Sequence, residues 1–447
     1  MKRREFIHGA SVTALSAGRI LGANDRVRVG LIGCGGRGQE VASLLRQAPG
    51  AEYAAVCDVY APNAAQARQL LNPSAEVFAD FRRLLERKEI DAVHVATPDH
   101  WHAIATVLAC QAGKDVYVEK PLAHNVREGR AMVTAARRYN RIVQTGMQHR
   151  SAPHYREVER IIQSGELGEV RFVRVWNYSN LTPYGIGRFP DSSPPAGLDW
   201  DFYLGPAPQV PFNKARFLRT YRWFWDYAGG TITDFGTHRF DTVQQVMRVT
   251  APKTISASGG RFSLQDGGEM PDVLQATYEY AGFVLSYEST NLNAHGAGGR
   301  TAGMAYYGMR GADDRPHGEA YYGTNGTLIA DRIGFEVYAE PKAAAKRDGS
   351  IDLKARVEGG RVEPRRAASK DATDLHTREF IECVRSRKAP SADIEIGHRS
   401  TTVPHLGNIA YKIGRKLTWD AEKEEFVRDP EATKLLGRVA RKPWDLI

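Results

Sequence analysis

Cysteine is scarce in this chain, with four residues among 447, and no two of them form a C-x-x-C pair. Neither a disulfide-stapled small domain nor a zinc knuckle is therefore indicated. Long apolar runs are also absent, because none reaches the roughly 18 residues that a membrane-spanning helix needs. The sequence contains no internal repeat. These absences leave an ordinary globular protein, without an integral membrane segment, as the expectation.

Positive charge is only mildly in excess. The chain carries 61 Lys and Arg against 52 Asp and Glu, a formal net charge of +9. The basic residues are scattered rather than gathered into one stripe, so no nucleic-acid partner is predicted. Histidine is more frequent, with 13 residues, but the two in DHWH stand at i and i+2 and would point to different faces of a helix. No metal site is predicted.

The first 25 residues differ from the rest in having a basic start followed by a weakly apolar stretch. Arg3 and Arg4 form a twin arginine, and Phe6 follows two residues later. This pattern resembles a twin-arginine export signal, a route that carries folded proteins. We expect export to the periplasm. The alternative is a basic tail on a protein that stays in the cytoplasm.

The remaining chain is too long for one hydrophobic core, and its pattern of hydrophobic residues changes near residue 148. Before it, short β-branched runs alternate with amphipathic stretches, which predicts a parallel sheet with helices on both faces. After it, longer alternating strands predict an α+β domain built on a large, mostly antiparallel open sheet. We assign residues 26–148 to a Rossmann domain, 149–415 to a substrate and oligomerisation domain, and 416–447 to a C-terminal tail.

The string GLIGCGGRG places Gly33, Gly35 and Gly38 in a G-x-G-x-x-G pattern between a predicted strand and a predicted helix. Such a turn lets a pyrophosphate approach the backbone at a helix N-terminus. Asp58 ends the second strand, 20 residues after Gly38, where a carboxylate accepts hydrogen bonds from the adenosine ribose. Together these residues predict a dinucleotide site.

A carboxylate at the ribose favours NAD over NADP, although Arg37 and Arg68 leave NADP as an alternative. Tight retention of the cofactor stays open. Ligands of open α/β sheets bind at the carboxyl ends of the strands. The expected cofactor-binding residues are therefore those of the glycine turn and of the strand ends: Gly33, Cys34, Gly35, Gly36, Arg37, Gly38, Asp58, Thr97, Pro98, His102, Glu119 and Lys120.

Three motifs in this order resemble the Gfo/Idh/MocA oxidoreductase family: the glycine turn, Glu119-Lys120-Pro121, and GGTITDFGTHRFD with Asp234 and His238. The resemblance implies a nicotinamide-dependent oxidoreductase for a sugar, polyol or glycoside, with Lys120, Asp234 and His238 in catalysis. The chemistry agrees, because alcohol oxidation needs a base for the hydroxyl proton. His238 could accept that proton, Asp234 could orient it or hold a second hydroxyl, and Lys120 could stabilise the alkoxide. The roles of lysine and histidine stay open.

Substrate contacts are expected from residues after the sixth strand and from aromatics of the second domain: Gln148, Arg150, Tyr178 and Trp225. Two other functions remain open. One is an NAD-dependent glycosidase that oxidises its sugar transiently and uses a tyrosine, such as Tyr178 or Tyr227, as a second base. The other is a non-catalytic dinucleotide sensor. The free face of the open sheet predicts a homodimer or a homotetramer.

Overall fold

The computed structural model describes residues 26–295, 315–340, 342–345, 348–357 and 362–445. The predicted export signal, residues 1–25, lies outside the described residues. Within the described ranges, no helix is both long enough and apolar enough to span a membrane.

The first domain is a Rossmann layer with six parallel strands in the order β3-β2-β1-β4-β5-β6. The strands are β1 Val27–Ile32, β2 Ala51–Cys57, β3 Glu76–Phe78, β4 Ala92–Val95, β5 Asp115–Val118 and β6 Val143–Thr145. The helices between them are α1 Gly36–Leu45, α2 Ala61–Leu71, α3 Phe81–Leu85, α4 Asp99–Gln111 and α5 Val126–Arg138. The parallel sheet predicted from the β-branched runs is confirmed.

The second domain is built on an eleven-stranded sheet. Its strands are β7 Val170–Asn180, β10 Thr254–Gly260, β11 Val273–Glu279, β12 Val284–Thr290, β13 Leu292–Asn293, β14 His317–Gly323, β15 Gly326–Asp331, β16 Gly334–Ala339, β19 Arg365–Ala368, β20 Leu417–Asp420 and β21 Glu425–Phe426. Neighbouring strands run antiparallel except β7 and β12, which are parallel. The mostly antiparallel sheet predicted for this domain is confirmed. A separate hairpin joins β17 Lys342–Ala345 to β18 Ile351–Val357.

Helices cover one face of this sheet: α6 Pro153–Gln163, α8 Thr231–Met247 and α10 Ile394–Ile413. Buried side chains such as Val173, Phe240 and Leu406 form the core between the helices and the sheet. The helix α9, Thr373–Ser386, returns to the Rossmann layer, where Phe380 joins the core around β1. The first domain is thus completed by a helix that comes late in the chain.

Between β7 and α8 runs a long insert, residues 181–230, with few regular elements: β8 Asp191–Ser192, α7 Trp200–Leu204, β9 Phe212–Asn213 and two short 3-10 helices at Lys214–Arg216 and Leu218–Trp223. Aromatic side chains give the insert its own small core. Its backbone is hydrogen-bonded to the loop after β2: the Ala61 N–H donates to the Gly197 carbonyl at 2.8 Å and the Asp199 N–H to the Val59 carbonyl at 2.9 Å. The insert therefore bridges the two domains.

Residues 416–447, which we expected to form a tail, are built into the fold as far as residue 445. Strand β20 pairs with β10, and the short helix α11, Pro430–Lys434, follows β21. Trp444 is buried against Trp101 and Phe202, with ring centroids 4.7 Å and 5.2 Å away. Leu417, Trp419, Phe426, Ala432 and Leu436 of the same stretch are also buried, in the core of the second domain. The polar composition of the stretch concealed these scattered apolar residues.

Candidate active site

The glycine turn after β1 has the geometry that its sequence predicts. Gly33 has a φ of +92°, and a Cβ there would lie 2.6 Å from the backbone of Ala96 and Thr97. A Cβ on Gly38 would lie 2.2 Å from the Gly33 carbonyl oxygen. Both positions therefore require glycine for close packing of strand, turn and helix.

Gly35 and Gly36 face open space, because a Cβ at either position would meet no atom within 4 Å. Helix α1 begins at Gly36, and no side chain caps its N-terminus. Its first N–H groups and the positive end of its dipole are thus available to an anion. This open cradle fits the pyrophosphate of a dinucleotide.

Asp58 is fixed at the end of β2 by two backbone amides. Cys34 N–H donates to Oδ2 at 2.7 Å, and Tyr60 N–H donates to Oδ1 at 2.8 Å. Burial raises the pKa of Asp58, while these hydrogen bonds act in the opposite direction. Each carboxylate oxygen retains a further lone pair, so the group can still accept hydrogen bonds from a ribose.

A cavity of about 590 Å³ extends from the glycine turn to helix α8. It brings together most of the predicted site residues: Gly33, Gly35, Gly36, Arg37, Asp58, Thr97, Pro98, His102, Glu119, Lys120, Gln148, Asp234 and His238. Residues of both domains and of the insert contribute to its wall. The cavity thus has the place expected of a ligand site in an open α/β sheet.

Several polar atoms in this wall are buried without a hydrogen-bond partner. They are Arg37 Nη2, Thr97 Oγ1, Gln148 Oε1 and His238 Nδ1. Buried polar groups are otherwise almost always paired, since leaving one unpaired costs about 1–3 kcal/mol. Other buried polar atoms of the described residues also lack a partner, such as Thr106 Oγ1 and Tyr321 Oη, but these four belong to residues of the cavity wall, where a polar ligand would satisfy them.

Lys120 follows β5 and meets the first turn of α8. Its ammonium donates to Asp234 Oδ1 at 2.5 Å and to the Asp234 carbonyl at 2.9 Å. Arg222 of the insert approaches Asp234 Oδ2 at 3.3 Å. Burial alone would raise the pKa of Asp234, but the charges of Lys120 and Arg222 hold it far below its ordinary value. Asp234 is therefore ionised, and it orients the Lys120 ammonium rather than the His238 ring.

His238 stands one helical turn after Asp234 and lines the same cavity. Its ring stacks on that of His149 at 4.9 Å. Burial, followed by the charges of Arg332 and Lys120, holds the pKa of His238 well below its ordinary value. The imidazole is therefore neutral at pH 7 and able to accept a proton. We expected Asp234 to orient His238, but the ring of His149 is what packs against it.

Five expected residues do not line the cavity. Cys34 is buried, with Sγ 3.4 Å from the Cys57 carbonyl, and Gly38 packs against Gly33. Arg150 is paired with buried Asp241 at 2.8 Å. The other two, Tyr178 and Trp225, are treated next.

Tyr178 lies on the open sheet, where its hydroxyl donates to Glu288 Oε2 at 2.6 Å. Trp225 packs under the ammonium of Lys412, 3.7 Å from the ring centroid. The expected substrate contacts therefore reduce to Gln148, which alone among the four reaches the cavity.

Sequence reasoning also missed several residues of the wall. Arg222 and Tyr221 come from the insert, and Arg332 from the turn between β15 and β16. A signal existed for the first two, because an irregular insert rich in aromatics more often shapes a cleft than a core. No local signal marks Arg332.

Two family models match the chain. One, described as an oxidoreductase family with an NAD-binding Rossmann fold, matches residues 27–147. The other, the C-terminal alpha/beta domain of the same oxidoreductase family, matches residues 153–285 and 362–446. Together they cover both domains.

Curated relatives resemble part of the chain. An uncharacterized oxidoreductase of Rhizobium meliloti is 33% identical over 186 residues, which are 41% of this chain and 54% of the relative. An inositol 2-dehydrogenase of Klebsiella pneumoniae is 33% identical over 150 residues, 33% of this chain and 44% of the relative. The matched part thus spans about half the length of these relatives.

The fold is also that of solved structures. A levoglucosan dehydrogenase in complex with NADH and levoglucosan superposes with a TM-score of 0.61 at 19% identity. The match covers 88% of this chain and 99% of that one. At this identity the likeness concerns the fold.

Proposed function

We propose, from the premise that the chain belongs to the Gfo/Idh/MocA oxidoreductase family, that it transfers a hydride between a nicotinamide and a secondary alcohol of a sugar or polyol. One observation carries the proposal. Lys120 from the first domain and a neutral His238 from the second line a single cavity that begins at an open glycine turn.

When bound, the nicotinamide supplies the hydride acceptor, or the donor in the reverse direction. The chain supplies the rest. His238 takes the hydroxyl proton as the carbonyl forms, because its imidazole is neutral. The Lys120 ammonium, aimed by Asp234, donates a hydrogen bond to the same oxygen while negative charge develops on it.

NAD is the cofactor that we propose. Asp58 would repel a 2′-phosphate, and both arginines considered for NADP have other partners in the protein. Arg37 Nε binds Glu119 Oε1 at 3.0 Å, and its Nη1 lies 3.3 Å from Glu40. Arg68 Nε donates to the Pro73 carbonyl at 2.8 Å. Each guanidinium group thus has at least one nitrogen held by another group of the protein.

The insert supports retention of the cofactor between turnovers. It is hydrogen-bonded to the loop that follows Asp58, and Phe202, Phe217 and Leu218 from it line the cavity. Release of a dinucleotide would require these contacts to open. We propose slow cofactor exchange on this ground.

The test is NADH formation at 340 nm by protein supplied with NAD and a panel of polyols, aldoses and glycosides. We expect at least one alcohol to be oxidised, with NAD preferred to NADP. NAD binding without turnover of any compound would instead favour the dinucleotide sensor.

The glycosidase remains a second candidate because a retained cofactor suits a cycle that ends with the cofactor in its starting state. Neither Tyr178 nor Tyr227, the tyrosines considered as its second base, lines the cavity. Glycoside cleavage without added NAD and without net NADH would support this candidate over a dehydrogenase.

We also propose that residues 1–25 direct export through the twin-arginine route. The support is the Arg3-Arg4 pair with its following Phe6. Replacement of both arginines by lysine is expected to keep the protein in the cytoplasm. Equal periplasmic amounts of the two forms would contradict export by this route.

We propose a homodimer or homotetramer assembled through the open face of the large sheet. Phe172 and Tyr322 stack there at 5.3 Å and are both exposed, as is neighbouring Val284. Exposed apolar groups on a sheet face favour association. A monomeric mass at micromolar concentration would contradict this assembly.

A further inference from the structure

Asp234 lies between two cations that reach it from different parts of the chain. Lys120, at the end of β5, donates to Oδ1 at 2.5 Å. Arg222, from the 3-10 helix Leu218–Trp223 of the insert, approaches Oδ2 with Nε at 3.3 Å. All three side chains line the cavity. Because Lys120 acts on the reacting oxygen in the proposed mechanism, Arg222 stands one carboxylate away from the site of chemistry.

The position of Arg222 is fixed by its neighbours in the insert. Tyr221 is buried, and its hydroxyl donates to Asp99 Oδ1 at 3.0 Å, in the first turn of α4 of the Rossmann domain. The guanidinium carbon of Arg222 lies 4.7 Å from the centre of the Tyr221 ring, and Nη1 donates to the Arg219 carbonyl at 3.3 Å. The side chain is thus held against the cavity wall, yet 24% of it stays exposed.

Arg222 retains hydrogen-bond donors for a ligand. A guanidinium carries five N–H groups and is always charged. The nitrogens of Arg222 meet two acceptors, Asp234 Oδ2 and the Arg219 carbonyl, and no hydrogen bond joins Nη2 to another described residue. Because the side chain is partly exposed in the cavity wall, the remaining N–H groups are available to a substrate.

We propose that Arg222 and Asp234 together bind the hydroxyl on the carbon next to the one that is oxidised. The proposal rests on the proposed function, because it makes a vicinal diol the substrate class for the same site. Arg222 donates a hydrogen bond to the oxygen of this second hydroxyl, and the hydroxyl donates in turn to Asp234 Oδ2. Both hydrogen-bonding capacities of the hydroxyl are then used.

The shared carboxylate explains why the neighbouring hydroxyl is selected. Oδ1 and Oδ2 belong to one carbon, so the cations on them, Lys120 and Arg222, are neighbours. A substrate oxygen at Lys120 therefore brings the oxygen of the next carbon within reach of Arg222. Oδ2 can accept from the substrate while it faces Arg222, because a carboxylate oxygen accepts more than one hydrogen bond.

Loss of the second hydroxyl should be costly. Hydrogen bonds to charged groups are the stronger ones, and a site built for a hydroxyl discriminates against an analogue that lacks it. An analogue without this hydroxyl leaves Arg222 and Asp234 without their substrate partner in a cavity that the substrate fills. The preference for the diol should therefore depend on Arg222.

The test compares polyols with analogues that lack one hydroxyl. D-glucose, myo-inositol and methyl β-D-glucoside are each supplied beside their monodeoxy analogues, and NAD reduction by the full-length protein gives kcat/KM. NMR of the product from the best polyol identifies the oxidised carbon. We expect removal of a hydroxyl on a neighbouring carbon to lower kcat/KM by about tenfold or more.

Three variants assign this preference to Arg222. In Arg222→Gln, the ratio of kcat/KM for the polyol to that for its neighbouring-deoxy analogue should fall below about threefold, because only the polyol loses a contact. A weaker support of Asp234 slows both compounds and cancels in the ratio. Arg222→Lys keeps the charge without the planar group and should retain part of the ratio. Arg219→Gln, the matched control, removes an exposed cation of the same 3-10 helix and should change the ratio less than threefold.

Two further measurements complete the test. The affinity for NADH, from fluorescence titration, should change less than about threefold in Arg222→Gln, because the proposed contact is with the substrate. If Arg222→Gln fails to fold, Arg222→Lys decides, and its ratio should be at least threefold below that of the unsubstituted protein.

Equal kcat/KM for the polyol and every neighbouring-deoxy analogue would overturn the proposal. So would a preference that survives in Arg222→Gln, since Arg222 would then only position Asp234, or an equal loss of preference in Arg219→Gln. A large loss of NADH affinity in Arg222→Gln would assign the residue to the cofactor and also overturn it. In each case NADH formation by the unsubstituted protein would leave the proposed function intact, whereas failure of every polyol to reduce NAD would count against both.

Discussion

At the scale of single residues, Lys120 and His238 reach the cavity from different domains, so each can be removed without loss of the other. Asp234 engages Lys120, and His149 stacks on His238. Lys120 and His238 are thus each held in place by a different neighbouring side chain. Their effects on catalysis should be separable from effects on cofactor binding.

Lys120→Met and His238→Gln are each expected to lower kcat by about 10²–10⁴-fold, the range typical of a lost proton-transfer group. The affinity for NAD should change less than about threefold, because the glycine turn and Asp58 are untouched. Steady-state kinetics and fluorescence titration with NADH measure the two quantities. Lys253→Met, at an exposed lysine, is the control. Unchanged kcat in either variant would remove that residue from the mechanism.

The glycine turn offers a matched pair of substitutions. Gly33→Ala should destabilise the fold by about 2 kcal/mol or more, because its φ is +92° and its Cβ would lie 2.6 Å from backbone atoms. Gly36→Ala meets no atom within 4 Å and should leave stability unchanged while weakening NAD binding. Urea unfolding and NAD titration distinguish them. A Gly33→Ala variant as stable as the parent would contradict this geometry.

Residues whose role depends on a local pattern were predictable from sequence. Gly33 and Asp58 stand in a short motif whose geometry follows from neighbouring residues. Arg222 and Arg332 were not predictable, because an insert and a distant turn bring them to the cavity. The partner of Asp234 was also missed, since helical spacing favours His238 while the fold supplies Lys120.

At the scale of elements, the insert is the feature that most affects the cofactor. Two backbone hydrogen bonds and the contact between Tyr60 and Phe217, 5.4 Å apart, hold it to the loop after β2. A stretch rich in Pro, Gly and aromatics, as this one is, is typical of an irregular segment that shapes a cleft. Composition could not indicate which part of the first domain the segment would cover, because that depends on pairing between distant backbones.

Ala61→Pro tests the insert with a minimal change. Ala61 is the first residue of α2, where proline is tolerated, and the substitution removes the N–H that donates to Gly197. We expect NADH to dissociate about tenfold faster, as measured by stopped-flow displacement, with stability nearly unchanged. Ala61→Ser retains the N–H and is the control. Equal dissociation rates in both variants would argue against a role of the insert in retention.

At the scale of the whole molecule, the two domains share more contacts than their different hydrophobic patterns suggest. Helix α9 returns to the core around β1, and Trp444 packs on Trp101 beside the cavity. The fold class was predictable because strand periodicity is local. The return of late segments to the first domain was not predictable, because the identity of an apolar residue does not indicate which surface it will cover.

Buried histidines predict how stability depends on pH. Eight described histidines have pKa values below the ordinary range, chiefly because burial disfavours the imidazolium: His94, His100, His124, His149, His154, His238, His317 and His405. As pH falls below about 6.5, the unfolded chain takes up protons that the folded protein does not. The free energy of unfolding should therefore fall as the pH decreases through this range.

Three buried carboxyl groups with raised pKa values oppose this trend: Asp58, Asp99 and Glu319. Burial raises the pKa of Glu319 to about 7, so the folded protein holds a proton there that the unfolded chain releases above its ordinary pKa. The eight histidines outnumber these three carboxyl groups, and the urea midpoint should fall from pH 7.5 to pH 5. Burial lowers the pKa of His405 to about 4 in the parent protein. The His405→Gln variant should therefore reduce the slope of the unfolding free energy against pH by about one proton. A constant midpoint would contradict these buried neutral states.

The most direct measurement of the central claim is a crystal structure of the protein with NADH and an oxidisable sugar or polyol. We predict the pyrophosphate at the amides of Gly36 and Arg37, and the reacting hydroxyl within about 2.6–3.2 Å of both Lys120 Nζ and His238. A dinucleotide bound elsewhere, or a substrate hydroxyl that reaches neither side chain, would contradict the account.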